Sequence, residues 1–309
     1  MTTAVVFAYH DVGVRCLSVL LAHRVAVQRV YTHADDPNEN IWFGSVAELA
    51  RLHGIPVTVV TEANQPGLLE SVAAEQPDFL FSFYYRFMLS PQALALARRG
   101  AYNMHGSLLP KYRGRVPVNW AIIQGERETG ASLHEMVAKP DAGRLADQLA
   151  IPILPNDTAL DVFRKVTVAA ETVLDRTLPQ LIAGTANLTE QDLTTGSYFG
   201  GRKPDDGRID WRWPAAKIHN LVRAVAPPYP GAFCIIHGRL LKILGTFCDG
   251  KATLAAPAPA TLSLEDGTLR LRCADGHTLR VTAAELDGRP LTPHAFMTLT
   301  GTGTLLLTQ

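Results

Sequence analysis

The chain has 309 residues, 47% of them apolar, and a formal net charge of zero from 29 basic and 29 acidic side chains. This length predicts two domains rather than one core. The neutral balance argues against a polynucleotide partner, which a basic excess usually meets, and no run reaches the ~20 apolar residues of a membrane helix.

Thr3 to Tyr9 is continuously apolar and predicts a buried parallel strand. His10 to Gly13 reads as a turn, Val14 to His23 as a helix and Val25 to Tyr31 as a second strand, which is a βαβ beginning. A dinucleotide site is excluded because the turn lacks Gly-x-Gly-x-x-Gly. Thr32 to Asn40 is a polar loop with Asp35, Asp36 and Glu39. Ser45 to His53 predicts a helix closed by Gly54, Pro56 to Val60 a strand, and Leu68 to Ala74 a helix. The strand Asp78 to Tyr85 ends in Tyr84, Tyr85 and Arg86, where ligands of open α/β sheets bind.

Pro91 to Arg98 reads as a helix stopped by Gly100, and Ala101 to His105 as a strand. Val118 to Gln124 is helical, Ser132 to Ala138 alternates, and Asp147 to Leu154 is a strand. Asn156 or Asp157 caps a helix from Ala159 to Ile182, which Pro179 kinks or divides. Gly200 to Asp206 reads as a linker, followed by a helix from Ala215 to Val225. Short alternating strands then predict a small β-barrel-like domain: Phe233 to Ile236, Leu240 to Leu244, Thr268 to Cys273 and His277 to Val281. Ala255 to Ala260 reads as a surface loop. Cys16, Cys234, Cys248 and Cys273 form no Cys-x-x-Cys pair and read as reduced thiols. No charged leader precedes an apolar run, so the expected location is cytoplasmic.

The chemistry concentrates between Ala101 and Pro117. Asn103 and His105 are two apart and share one face of an extended strand. A turn-rich segment, Lys139 to Gly143, carries Asp141. An amide, an imidazole and a carboxylate on strand-end loops can hold a developing oxyanion and move a proton. His134 suggests a metal site with His105, but no third ligand is evident. Ser107 lacks a Gly-x-Ser-x-Gly setting and reads as a loop brace. Arg113 and Arg115 flank Gly114, either to meet phosphate or as a solvated pair.

Asn103-x-His105-x-Ser107-Leu-Leu-Pro110-x-Tyr112-x-Gly114, with Asp141-x-Gly143 downstream, resembles the signature of enzymes that transfer a formyl group from 10-formyltetrahydrofolate. The family includes the glycinamide ribonucleotide, methionyl-tRNA and amino-sugar formyltransferases. Matching text also covers Phe81 to Arg86, Asn119-Trp120, Gly125 to Gly130, Pro204 to Gly207 and Ala224 to Phe233. The match is loose beyond Phe233. Within the family it is most similar to the formyltransferase half of the bifunctional polymyxin-resistance proteins, which act on UDP-4-amino-4-deoxy-L-arabinose in lipid A modification.

The resemblance implies an α/β fold: a Rossmann-like catalytic domain over 1–203, then a barrel like the oligonucleotide/oligosaccharide-binding fold over 204–309. It makes Asn103 the oxyanion donor, His105 the general acid/base and Asp141 the partner that raises the His105 pKa. It implies a 10-formyltetrahydrofolate cosubstrate, with no metal. Phe87, Met88 and Leu89 would hold it by backbone atoms, Val137, Ala138, Lys139, Pro140 and Asp141 would meet it from the other side, and Arg115 would contact it. Tyr84, Arg86, Asn119 and Arg202 are candidates by position for the nucleotide sugar. The short acidic Thr32 to Asn40 loop disfavours the tRNA acceptor, since the tRNA enzymes carry a longer basic insertion there. The bifunctional relatives continue into a dehydrogenase/decarboxylase half, so the expectations are a separately encoded partner or a shortened chain, and no oxidative activity.

Overall fold

The computed structural model describes residues 1–37, 40–62, 65–249 and 258–307. Glu39 of the acidic loop and the beginning of the Ala255 to Ala260 tract lie outside the described residues. The chain divides into two compact units, Met1–Pro117 with Glu128–Ile151 and Arg164–Gly200, and Val118–Arg127 with Pro152–Phe163 and Gly201–Gln309.

The first unit opens with β1 (Thr3–Ala8), α1 (His10–Ala22), β2 (Ala26–Thr32), α2 (Val46–Leu52), β3 (Val57–Val59), α3 (Leu68–Glu75) and β4 (Phe79–Phe83). After α4 (Pro91–Leu94) come β5 (Gly100–His105) and a short β6 (Arg113–Gly114). Strands β7 (Glu128–Glu135), β8 (Leu145–Pro152) and β9 (Tyr198–Phe199) follow; helix α5 (Pro117–Ile123) belongs to the second unit from Val118 on, and α6 (Ala159–Ala183) to the first from Arg164 on. The sheet order is β3-β2-β1-β4-β5-β7-β8. It is parallel from β3 to β5, as right-handed crossovers dictate, and β7 joins β5 antiparallel. Phe79, Leu80, Phe81 and Phe83 of β4 are all buried, because helices cover both faces of such a sheet.

Three expectations need correction in this unit. His10 to Gly13 is the first turn of α1, not a loop: the Gly13 amide donates to the Tyr9 carbonyl at 3.3 Å. Gly13 serves close packing, since a Cβ there would meet Val46 at 2.9 Å. The helix at Pro91 ends at Leu94, because the Arg98 and Arg99 amides donate to the Pro77 and Asp78 carbonyls and draw the chain toward the sheet. The strand predicted to Tyr85 ends at Phe83, as Tyr84 turns out of it with φ +57°. Helix α6 runs as one element through Pro179.

In the second unit, α7 (Ala215–Ala224) precedes β10 (Ala232–Ile236), β11 (Arg239–Phe247), β12 (Thr261–Glu265), β13 (Thr268–Arg272), β14 (Thr278–Leu286), β15 (Arg289–Pro290), α8 (Pro293–Thr300) and β16 (Thr304–Leu306). The strands form a curled antiparallel sheet in the order β10-β11-β14-β13-β12-β16. Alternation sets its core: Leu241, Ile243, Leu262 and Leu271 are buried and pack with Ile218 and Val222 of α7. Sequence reading missed β12, α8 and β16. Helix α8 is capped by Thr292, whose hydroxyl accepts the Ala295 amide at 3.1 Å.

Candidate active site

Strand β5 ends at the site, and register decides what it meets. Asn103 lies opposite His134 of β7, and His105 opposite Ser132. The Asn103 amide nitrogen is 3.0 Å from His134 Nε2, and His134 Nδ1 is 2.7 Å from the Glu135 carbonyl. A carbonyl only accepts, so the His134 proton sits on Nδ1 and Nε2 accepts from Asn103. Asp141 closes the group: its Oδ1 is 3.5 Å from His134 Nε2 and 3.7 Å from His105 Nδ1. The three predicted residues therefore converge, and His134 is a fourth member that sequence reading had weighed only as a metal ligand. Its signal was the Ser132-Leu-His alternation, which places Ser132 and His134 on one face of β7. Among the described residues, no group of three or more His, Cys, Asp or Glu side chains could hold a metal ion.

The loop after β5 positions these groups through its backbone. His105 Nε2 donates to the Tyr112 carbonyl at 2.8 Å, leaving the Nδ1 lone pair facing Asp141. The Gly114 amide donates to Asp141 Oδ2 at 2.8 Å. Asp141 has φ +50°, and Gln191 donates to its carbonyl at 3.1 Å and to that of Gly143 at 2.6 Å. Ser132 Oγ donates to the Ser107 carbonyl at 2.5 Å and accepts from the Leu109 amide and Gln148 Nε2. Ser107 Oγ donates to the Lys111 carbonyl at 2.7 Å, as a brace does.

Burial governs the electrostatics of this group. It pushes the His105 imidazole below its ordinary value, and Asp141 and the Tyr112 carbonyl restore only part of the shift. Asp141 raises the His105 pKa as expected, and desolvation outweighs that rise. Burial also pushes the Asp141 carboxyl up, but the Gly114 amide, and the His105 ring when it is protonated, hold it below the usual carboxylate range. At pH 7 Asp141 is ionised and His105 neutral, and they become an ion pair only when His105 takes up a proton.

The remaining predicted residues are more dispersed. Leu89 is buried in a cluster with Leu80, Ala93 and Ala101, against which Phe87 and Met136 pack, while Met88 is exposed. Val137, Ala138, Lys139 and Arg115 are exposed, and Pro140 is half-buried. Tyr84 is half-buried, with its hydroxyl where a Cβ on Gly106 would lie. Arg86 is exposed, its guanidinium 4.7 Å from the centre of the Tyr9 ring and its amide donating to His33 Nε2. In the second unit, Asn119 is buried and its amide donates to the Ala224 carbonyl at 2.7 Å. Arg202 lies over Trp120 at 5.3 Å and donates to the Asp206 carbonyl. Asp35 and Asp36 are exposed, and Asp35 accepts the Tyr9 hydroxyl at 2.8 Å.

Residues 22–178 match the formyl transferase family model, and 202–300 match the formyl transferase C-terminal domain model. Solved structures with the same fold include an N-formyltransferase from Helicobacter canadensis in complex with folinic acid and dTDP-3-aminofucose. It is 22% identical over 91% of this chain and 99% of that one, with a TM-score of 0.71. The sugar 3N-formyl transferase WlaRD, in the presence of dTDP and 5-N-formyl-THF, is 21% identical over 91% and 97%, with a TM-score of 0.70. HypX from Aquifex aeolicus, in complex with tetrahydrofolic acid, is 18% identical over 92% of this chain and 44% of that one, with a TM-score of 0.62.

Proposed function

Because this chain belongs to the formyl transferase family, we propose that it transfers the formyl group of 10-formyltetrahydrofolate to the 4-amino group of UDP-4-amino-4-deoxy-L-arabinose. The observation that carries the chemistry is the convergence of Asn103, His105 and Asp141, joined by His134. The nucleotide-sugar acceptor is supported by the Tyr84 to Arg86 and Lys111 to Arg115 text and by the exposed acids Asp35 and Asp36, which would repel a tRNA. In this reading 1–203 is the catalytic domain and 204–309 the C-terminal domain. The protein acts in the cytoplasm, in lipid A modification and polymyxin resistance.

The residues divide the work as follows. The acceptor nitrogen attacks the formyl carbon as a neutral amine, and His105 takes its proton at Nδ1, the nitrogen left basic by the bond to Tyr112. The resulting imidazolium faces the ionised Asp141. The formyl oxygen becomes negative. Of the two Asn103 amide hydrogens, one is engaged by His134 and the other meets this oxygen. His105 then returns its proton to N10 of the departing folate. Phe87 to Leu89, Arg115 and Val137 to Asp141 hold the donor, and Tyr84 and Arg86 contact the sugar nucleotide.

The test is an assay with 10-formyltetrahydrofolate and, in parallel, UDP-4-amino-4-deoxy-L-arabinose and methionyl-tRNA. Formylation of the sugar nucleotide alone is the expected result. Formylation of the tRNA but not the sugar would refute the acceptor assignment, and no reaction with either would refute the function.

A further inference from the structure

Arg113 stands between the two backbone groups that hold the candidate catalytic pair: Tyr112 supplies the carbonyl on His105 and Gly114 the amide on Asp141. Its side chain does not match the sequence reading of a solvated pair, for Arg115 is exposed while Arg113 is only 9% exposed. Among the described residues, no carboxylate pairs with the Arg113 guanidinium, and its buried Nε has no hydrogen-bond partner.

The other arginine buried among the described residues is satisfied. Arg223, 6% exposed, donates to Asn220 Oδ1 and to the Leu154 and Asp157 carbonyls. A structural guanidinium in this protein thus finds its acceptors within the fold. A buried Nε–H without an acceptor is costly to keep, because its desolvation is not repaid by a bond. That cost is recovered when an anion arrives, and the planar guanidinium fork suits phosphate oxygens.

We propose that Arg113 is the phosphate-receiving residue for the acceptor, binding the diphosphate of the nucleotide-linked amine. The inference rests on the nucleotide-sugar reading above. Because Tyr112 and Gly114 fix His105 and Asp141, an anion seated on Arg113 between them sets the distance from the acceptor's charged end to the base that takes its proton. The other anion of the reaction is the carboxylate tail of the folate donor, and the same experiment separates the two.

Titration calorimetry of the full chain with uridine diphosphate, uridine and folinic acid tests the assignment on wild type, R113M and R113K. The expected result is a loss of uridine diphosphate affinity of about thirtyfold or more in R113M. R113K, which keeps the charge without the fork, loses about tenfold. Folinic acid binding stays within about twofold in both, which also reports that they fold. Ligand-free R113M melts no lower than wild type, since it removes an unsatisfied buried Nε–H. Uridine diphosphate affinity within about twofold of wild type in both variants overturns the assignment. So does a selective loss of folinic acid binding, which would transfer Arg113 to the donor, or equal wild-type affinity for uridine and its diphosphate. Wild-type protein that binds folinic acid but no uridine nucleotide overturns the acceptor class and this inference together, whereas unaffected variants of a nucleotide-binding protein overturn the inference alone.

Discussion

Substituting Gly114 tests how the site is held. Gly114 has φ +99°, and a Cβ there would lie 2.1 Å from the Phe199 carbonyl oxygen and 3.2 Å from Cε2 of Tyr198. The first of these is backbone of the paired strand β9, so it cannot swing aside. Forcing alanine into this conformation costs about 1–3 kcal/mol, and the overlap adds about 1–3 kcal/mol. The sum, about 2–6 kcal/mol, is a large part of a typical domain stability of about 5–15 kcal/mol. At about 2–4 °C per kcal/mol, G114A should melt roughly 5–20 °C lower. Gly54 provides the control. It has φ +67° with nothing within 4 Å, so G54A costs only the conformational part, about 1 kcal/mol. Relief of the overlap moves the Gly114 amide off Asp141, so kcat should also fall about 10–100-fold in G114A and stay unchanged in G54A. Thermal melts and single-turnover rates on both variants decide the matter. A G114A protein that melts within about 2 °C of G54A and retains full kcat would refute the reasoning.

Burial keeps His105 neutral, so kcat/KM should fall with pH only on an acid limb below about pH 6.5. D141N should push that limb further toward acid while lowering the plateau, and a wild-type limb above pH 7 would contradict the assignment. His33 is pushed down to about 4, by burial first and by Arg86 in addition. The native ring refuses a proton that the unfolded chain accepts, so its stabilisation is complete above about pH 6.5 and is lost as pH falls through about 4. H33Q retains an acceptor for the Arg86 amide and should flatten the dependence of urea midpoint on pH between 7 and 5; an unchanged slope would exclude His33 as the cause. S132A leaves the Leu109 amide and Gln148 Nε2 without their shared acceptor and should cost about 1–3 kcal/mol in urea titration. Stability equal to wild type would show that the loop does not depend on this hydroxyl.

Asn103, His105 and Asp141 were legible because two of them obey strand periodicity and the third sits in a turn with its own composition. A continuous apolar run likewise marked β1, and alternating runs marked β10 and β13. What escaped is of two kinds. Tyr112 and Gly114 act through backbone atoms, which every residue carries, so no side-chain pattern announces them. His134 acts through its opposition to Asn103, and strand register is set by contacts between segments distant in sequence. Strand β12 alternates over only five residues, and helix α8 is eight residues long and set by the Thr292 cap, so neither is marked by a sustained pattern. The depressed His105 is a third case: adjacency to an acid is visible in a motif, whereas desolvation exists only once the chain has closed around the ring.

The antiparallel union of β5 with β7 makes the site a matter of counting. Leu133, fully buried, lies between Ser132 and His134 on the opposite face of its strand. Deleting or inserting one residue within β7 would turn that leucine toward Asn103 and send both polar side chains into the apolar interior. Length variation should therefore be barred from this short strand in any library of functional variants, even while composition at its exposed end drifts freely.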